Sequence, residues 1–488
     1  MTQTLDATRL PTIEAPTQGT LDPDGLTTLN APYDPTDTDW QRWLPGQNTS
    51  SGNEVIAYID GLNTFNDMVA AIRATTGPAH FIYLAAWNTE DFPLVPGEPH
   101  SSLSELLAQA SARGVAVRAL IYQQNQLFGA RDNSEIVDMI NGLATGAAIH
   151  DGRVLLRNGF AVGAHHQKML IVHGPAGLVA FQGGIDLDRN RLPPALHDVH
   201  TRVMGPAAHW LYRTFVERWH DHPEAVSLAP VNATLPAPKR HPSVDHFTHV
   251  ARTYGSSAKH GVSPAGSPPY AFAPQGERSI KSLVLKAIQA SERFIYLEDQ
   301  YLVDMDISRA LVAALPKLKK LIILVCDSGA VVGEIFQVGR RRKAFLDPLL
   351  AAGPGKVHVC TSARYIHAKV WIFDDRFAVI GSANVNRRGF THDSEQAIGV
   401  FDVNARRRWF FAHELRMHLW SRHLGLPPRD TIDAITASRH WASGQTRGEI
   451  QPFVADPAGD KAPDWKTNLA LAAIGADLWD DGIDPDGS

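Results

Sequence analysis

From about Val55 to Leu426 the chain alternates short apolar runs with amphipathic helical stretches, and it lays out that alternation twice. PAHFIYLAAWN (78–88) and SERFIYLEDQY (291–301) are β-rich apolar runs closed by polar residues, and they read as equivalent buried strands. Each follows a helical pattern, FNDMVAAIRATTG or IKSLVLKAIQASE. Each is followed by another, LSELLAQASARG or ISRALVAALPKLK, and then by a strand, VAVRALIY or KLIILVC. The repeat predicts an α/β protein of two pseudo-twofold-related lobes, each a mixed β-sheet flanked by helices.

The punctuation sets the boundaries. Residues 1–48 are rich in Thr, Pro, Asp and Gly without a period and read as an irregular arm; 49–226 form the first lobe. Residues 227–277, crowded with Pro, Gly and Ser, read as a connection over the surface, 278–426 as the second lobe, and 427–488 as a C-terminal extension. Within that extension a helix is expected near Thr467–Leu478. From Gln451 onward eight Asp against two Lys make the tail acidic.

Composition narrows the class. A chain of 488 residues, 44% hydrophobic and 20% charged, is an ordinary globular protein with length for two or three cores. A net charge of -5 lacks the positive field that accompanies most nucleic-acid binders. Cys326 and Cys360 lie in strand-like runs and read as small core residues rather than a disulfide or metal site. The expectation is a chain without a Sec-type leader or membrane span, cytoplasmic or exported by a leaderless route and peripheral on membranes.

Chemistry enters with YIHAKVWIFDDRFAVIGSANVN. His367, Lys369, Asp374, Gly381, Ser382 and Asn384 spell H-x-K-x4-D-x6-G-S-x-N, a combination expected by accident in roughly one chain of this length in 10^5. A degenerate copy, HHQKMLIVHGPAGLVAFQGGIDLDRNR, keeps His166 and Lys168, with Gly183, Gly184 and Asp186 where Gly381, Ser382 and Asn384 stand later. Each half delivers its H-x-K on a strand, so His and Lys share a face. Two histidines around one phosphorus suffice for a double displacement without metal, one as nucleophile and one as acid, and no zinc-like spacing or Asp-rich loop is present to supply an ion. Asp198, 32 residues after His166, and Glu395, 28 after His367, are the candidate carboxylates that accept from imidazole Nδ1. Lys168 and Lys369 would hold nonbridging phosphate oxygens, with Asn384, Ser382, Gly183 and Gly184 adding neutral donors. His165, His173, His197, His200 and His392 read as scaffold.

These residues resemble the phospholipase D superfamily, whose HKD motif occurs twice per active site. The likeness extends from Val55 to Leu426 and includes GGIDL, LHDVHTRVMGPAAHWLYRTFVERW, YAFAPQGERSI, FIYLEDQYL and IGSANVNRRGFTHDSE, which look like the two-motif enzymes of eukaryotic and actinobacterial type. The resemblance implies an active site at the lobe interface of a monomer. His166 would form a phosphohistidine, His367 would protonate the leaving alcohol, and no cofactor would be needed. It implies hydrolysis of the distal phosphodiester of a glycerophospholipid at a membrane surface, with phosphatidyl transfer, as in phosphatidylserine or cardiolipin synthesis, as the runner-up. A nucleic-acid phosphodiesterase and a noncatalytic scaffold follow behind.

Two departures stand out. His173 occupies the motif's Asp position in the first half, where a turn hydrogen bond is at stake. Asp186 replaces Asn, and beside phosphate it must turn away or pair with a positive head group. VVGEIFQVGRRRKAF (331–345) mixes apolar and basic residues and could meet an anionic surface or form a solvated helix.

Overall fold

The computed structural model describes residues 40–454 apart from 46–47, 124–132, 153–154, 158–159, 162, 232–234, 236, 240–245, 256–262, 265–268, 328–337, 403–410 and 443–445. The helix expected near 467–478 and the acidic tail from 455 onward lie outside the described residues.

The first lobe's strands are β1 (Thr49–Ile59), β2 (Phe81–Ala86), β3 (Ala116–Tyr122), β4 (Gly146–Asp151), β5 (Met169–Gly174), β6 (Gly177–Gly183) and β7 (Val199–Met204). The second lobe has β8 (His246–Tyr254), β9 (Phe294–Asp299), β10 (Lys320–Val325), β11 (Val357–Ser362), β12 (Val370–Phe373), β13 (Phe377–Gly381) and β14 (Glu395–Asp402), with β15 (Ile450–Pro452) at the edge. The lobes share one strand order, β4-β3-β2-β5-β6-β7-β1 against β11-β10-β9-β12-β13-β14-β8. In each, the three strands carrying the β/α crossovers are parallel and the motif hairpin is antiparallel. The two sheets are continuous, joined edge to edge where β1 pairs antiparallel with β8. Neither inner edge is left unpaired.

Strand β8 falls inside 227–277, the stretch read as a surface connection. HFTHVARTY carries His246, Thr248, His249 and Thr253, all buried, which dilute its apolar signal, and His246 and Thr248 find partners across the seam. Asn53 Nδ2 donates to His246 O (3.0 Å) and Thr248 Oγ1 (3.1 Å), and Val55 N–H donates to His246 Nδ1 (3.0 Å). At the register shift between Ser50 and Asn53 the amide side chain takes over the ladder's bonds.

Helices cover both faces. On the outer faces α2 (Gly61–Arg73), α3 (Leu103–Ala112) and α4 (Ser134–Asn141) pack on the first sheet, and α6 (Ser279–Ala290), α7 (Met305–Ala314) and α8 (Val338–Ala352) on the second. The other face is a single core shared by both lobes, in which α5 (Pro206–Asp221) contributes Leu211, Phe215 and Trp219, and α9 (Phe411–Leu424) contributes Leu415, Leu419 and Trp420. One core spanning two lobes resists their separation, because parting them would expose apolar area at about 25 cal/mol per Å². The short helix α1 (Trp40–Trp43), within the predicted arm, stacks Trp43 on Phe377 of the second lobe. In α8, part of the 331–345 stretch, Arg342 turns inward and donates to the carbonyls of Gln300, Tyr301 and Cys326. Cys326 and Cys360 are buried free thiols.

Candidate active site

His166 and Lys168 stand in the extended segment that leads into β5, and His367 and Lys369 in the one that leads into β12. They are not on the strands themselves, as the repeat had predicted, because their main chain pairs with the opposite lobe. His166 N–H donates to Ser394 O (2.9 Å), Ser394 N–H to Ala164 O (2.9 Å) and His367 N–H to His197 O (2.8 Å). Residues 365–366 run parallel to 196–197, and His165 pairs with Ser394 in the same sense. Ser394 and His197 each precede a carboxylate, so this backbone exchange carries Glu395 and Asp198 to the histidine of the other lobe.

The side chains follow. His166 Nδ1 lies 2.9 and 3.0 Å from Glu395 Oε1 and Oε2, and His367 Nδ1 lies 2.7 Å from Asp198 Oδ2. In sequence Asp198 follows His166 and Glu395 follows His367. The fold crosses those pairs. Each imidazole is thus left with Nε2 for chemistry.

Two of the three backbone donors expected to meet phosphate are spent on strand packing. Gly184 N–H is spent on Val199 O (3.0 Å) and Ser382 N–H on Gln396 O (2.9 Å), both within antiparallel pairings, and Gly183 stands opposite His200 in the β6–β7 ladder. A Cβ at Gly184 would come within 2.0 Å of Asp198 Oδ1, so only glycine lets that carboxylate in. Ser382 Oγ donates to Glu395 Oε2, which makes it a brace for the carboxylate. Asn384 is buried; its Oδ1, an acceptor, has no hydrogen-bond partner, so a phosphate contact would fall to its Nδ2.

Lys168 Nζ donates to His166 O (3.1 Å), pairs with Asp186 Oδ2 (3.2 Å) and sits 5.5 Å from the Trp87 ring centroid. Lys369 Nζ donates to His367 O. Asp186 is occupied by the protein: Oδ1 accepts from Trp87 and Asn88 N–H (3.1 Å each), and Oδ2 faces Lys168 and, at 3.6 Å, Arg191. A positive head group is therefore not its partner. In the second lobe the matching buried carboxylate is Asp299, at the end of β9, which accepts from Val385 N–H (2.9 Å) and counters Lys369. The same two loops are tied in both lobes, with donor and acceptor sides reversed.

Electrostatics keep both imidazoles neutral. Burial pulls His166 well below its ordinary value and Lys168 and Lys369 add to it; burial does the same for His367, helped by Arg191, Lys369 and Lys168. Both lysines act on both rings, so the two half-sites form one electrostatic unit. Burial lifts Asp198 to about 6 against the pull of Arg191 and Lys369. Burial, then Asp393, raises Glu395 well above the carboxylate range. Burial lowers Lys369 to about 8, with Asp198 and Asp299 opposing.

The remaining motif positions are structural. Asp374, at φ 55°, accepts from Glu292, Arg293 and Phe294 N–H at 2.7, 2.8 and 2.8 Å and pins the start of β9. His173, its counterpart, stacks on Phe81 and reaches only Ala79 O (3.2 Å). His165 pairs with Asp151 (3.2 Å), His200 Nδ1 accepts from Ile185 N–H (3.2 Å), and His392 is buried beside Thr391. His197 bridges the lobes, with Nδ1 3.1 Å from Asp60 and Nε2 2.6 Å from Glu298, which also meets His423 Nε2 at 3.3 Å. Burial works against a charge on His197, but Glu298 and Asp60 outweigh it and raise it to about 9. His197, Glu298 and His423 offer metal-type donors within 4.8 Å of one another, yet Glu298 is already bonded to both histidines.

Residues 284–410 match the family described as "Cardiolipin synthase, PLD-like domain". Over 72% of its length the chain is 23% identical to phospholipase D alpha 1 of Vigna unguiculata and 24% identical to a cardiolipin synthase of Staphylococcus aureus, covering 63% and 65% of those proteins. This chain belongs to the phospholipase D superfamily. It spans 54 to 63% of the length of the plant relatives it matches. The superfamily fold extends over nearly the whole chain: the phosphatidylserine synthase structure of Haemophilus influenzae Rd KW20 superposes with a TM-score of 0.56 at 13% identity, covering 94% of this chain and 98% of that one.

Trp87, Arg191, Asp299 and Glu298 also line or support this centre and carry no motif of their own. Trp87 closes the first strand run, and Asp299 and Glu298 sit at the end of the second, where polar residues after an apolar strand mark the site edge of an α/β sheet. Arg191 had no such signal, since it lies in an aperiodic turn.

Proposed function

We propose that this chain is a phospholipase D, hydrolysing the distal phosphodiester of a glycerophospholipid to phosphatidic acid and a head-group alcohol. The observation that carries this reading is the crossed pair: two neutral imidazoles, each tied at Nδ1 to a carboxylate of the opposite lobe, share two buried lysines. His166 Nε2 attacks phosphorus, the bond to the head-group oxygen breaks, and that oxygen takes the proton from His367 Nε2. Water then gives its proton to His367 as its oxygen attacks phosphorus, and the P–N bond breaks. Lys168, Lys369 and Asn384 hold the nonbridging oxygens. The bound phosphodiester anion offsets the cations that depress His367, so it takes up the proton it must donate when substrate is present. The substrate would come from a membrane surface; among the described residues no helix is long and apolar enough to cross one.

Transfer to a second alcohol has one observation in its favour. The two imidazole side chains are only 12% and 11% exposed, which restricts water at the covalent intermediate. The test is mass spectrometry of products from mixed phospholipids with EDTA, with and without a primary alcohol, for wild type, His166→Ala and His367→Ala. Phosphatidic acid from wild type alone is expected. Phosphatidyl-alcohol with scant phosphatidic acid would move the reading to a transferase, and neither product would reject both.

A further inference from the structure

The two lobes place an arginine seven residues before each orienting carboxylate, Arg388 before Glu395 and Arg191 before Asp198. Arg388 is gripped by Asp393, with Nε at 2.7 Å from Oδ2 and Nη2 at 3.1 Å from Oδ1. The first lobe has no such carboxylate, because the position corresponding to Asp393 is Leu196. Arg191 is nevertheless buried, with its side chain 5% exposed. Its guanidinium approaches Asp186 at 3.6 Å and Asp198 at 3.8 Å, both longer than a hydrogen bond, and its buried Nε has no hydrogen-bond partner. A guanidinium carries five N–H donors, and leaving them unmet in a buried site is costly unless a ligand completes them.

Nor is the residue loosely held. Asp188 caps its turn by accepting from Asn190 N–H (3.0 Å), and Gly61 at the start of α2 lies so close that a Cβ there would stand 2.5 Å from Arg191 O. The side chain is thus fixed between the carboxylate that orients His367 and the one that pairs with Lys168.

We propose that Arg191 is a third phosphate-binding cation of this site, its planar fork directed at a nonbridging oxygen of the phosphodiester; this rests on reading the site as a phosphodiester centre. Arginine suits that task because its N–H groups can engage two acceptor directions at once, whereas each lysine is a point charge. Removing it costs binding of a tetrahedral oxyanion as well as turnover.

Titration calorimetry of the full chain with inorganic phosphate tests this, using wild type, Arg191→Gln, Arg191→Lys and Arg213→Gln, the last deleting an exposed charge on α5. The expected loss of affinity is roughly 10- to 100-fold for Arg191→Gln and smaller for Arg191→Lys, with Arg213→Gln within about twofold. A folded Arg191→Gln that binds phosphate like wild type overturns the proposal, as does a wild type that binds none. If Arg191→Gln does not fold, Arg191→Lys decides, and undiminished affinity there counts against it. Arg191-dependent phosphate binding without phospholipid turnover would uphold this inference while rejecting the enzyme reading. Turnover as proposed with Arg191-independent binding would do the reverse.

Discussion

Around His166 the carboxylate is Glu395, braced by the Ser382 hydroxyl and crowded by Asp393; around His367 it is Asp198, packed on Gly184 and facing Arg191. The backbone of the two half-sites is nearly the same, down to the parallel pairing that carries each carboxylate across. The side chains differ, and the charges differ with them. Asp198, at about 6, is ionised at neutral pH and can support an imidazolium, which suits His367 to handle protons. Glu395, pushed up by burial and Asp393, can take the Nδ1 proton as His166 Nε2 attacks, which leaves the phosphorylated ring neutral. On the proposed mechanism, two lobes of like topology present equivalent histidines whose unlike surroundings suit them to different roles.

The comparison breaks most sharply at the carboxylates. Asp198→Asn and Glu395→Gln should each lower kcat by roughly 10^2- to 10^4-fold, and steady-state kinetics of double variants should show which histidine each serves. Glu395→Gln should add little to His166→Ala, and Asp198→Asn little to His367→Ala. The reverse coupling would mean that the pairs are not crossed.

Next come the unlike residues at the motif's Asp position. Asp374→Ala deprives three backbone donors of their acceptor and should destabilise the protein by about 2–4 kcal/mol in denaturant melts, while His173→Ala should cost below about 1 kcal/mol and keep most activity.

A smaller effect is the pH profile. As pH falls through about 6, Asp198 takes a proton and loses its hold on His367; as pH rises through about 8, Lys369 loses the charge proposed to bind phosphate. A bell-shaped kcat/KM with limbs near those values is expected, and Lys369→Arg should move the alkaline limb upward.

Much of this centre was legible in the sequence because its chemistry is local. His166-x-Lys168 and His367-x-Lys369 recur in matching contexts, and Asp198 and Glu395 fall at comparable distances behind them. The crossing was not legible, since it depends on His165 meeting Ser394 and Ile366 meeting His197, pairings 229 and 169 residues apart that no local pattern encodes. Strand β8 was hidden for a related reason: its buried His246 and Thr248 find hydrogen-bond partners on β1 of the neighbouring lobe. The backbone at Gly184 and Ser382 was given a phosphate role because glycine and serine often bind anions in loops, whereas here a strand had already claimed those N–H groups.

The most direct measurement is to quench turnover of a phospholipid labelled with 32P at its phosphate and map the acid-labile label by peptide mass spectrometry, in wild type and in His367→Asn. The label should sit on His166 and, with an activated leaving group such as p-nitrophenol that needs no acid, build up in His367→Asn, where hydrolysis of the intermediate lacks a base. Label on His367, or turnover with no histidine adduct in either protein, would contradict the assignment of roles.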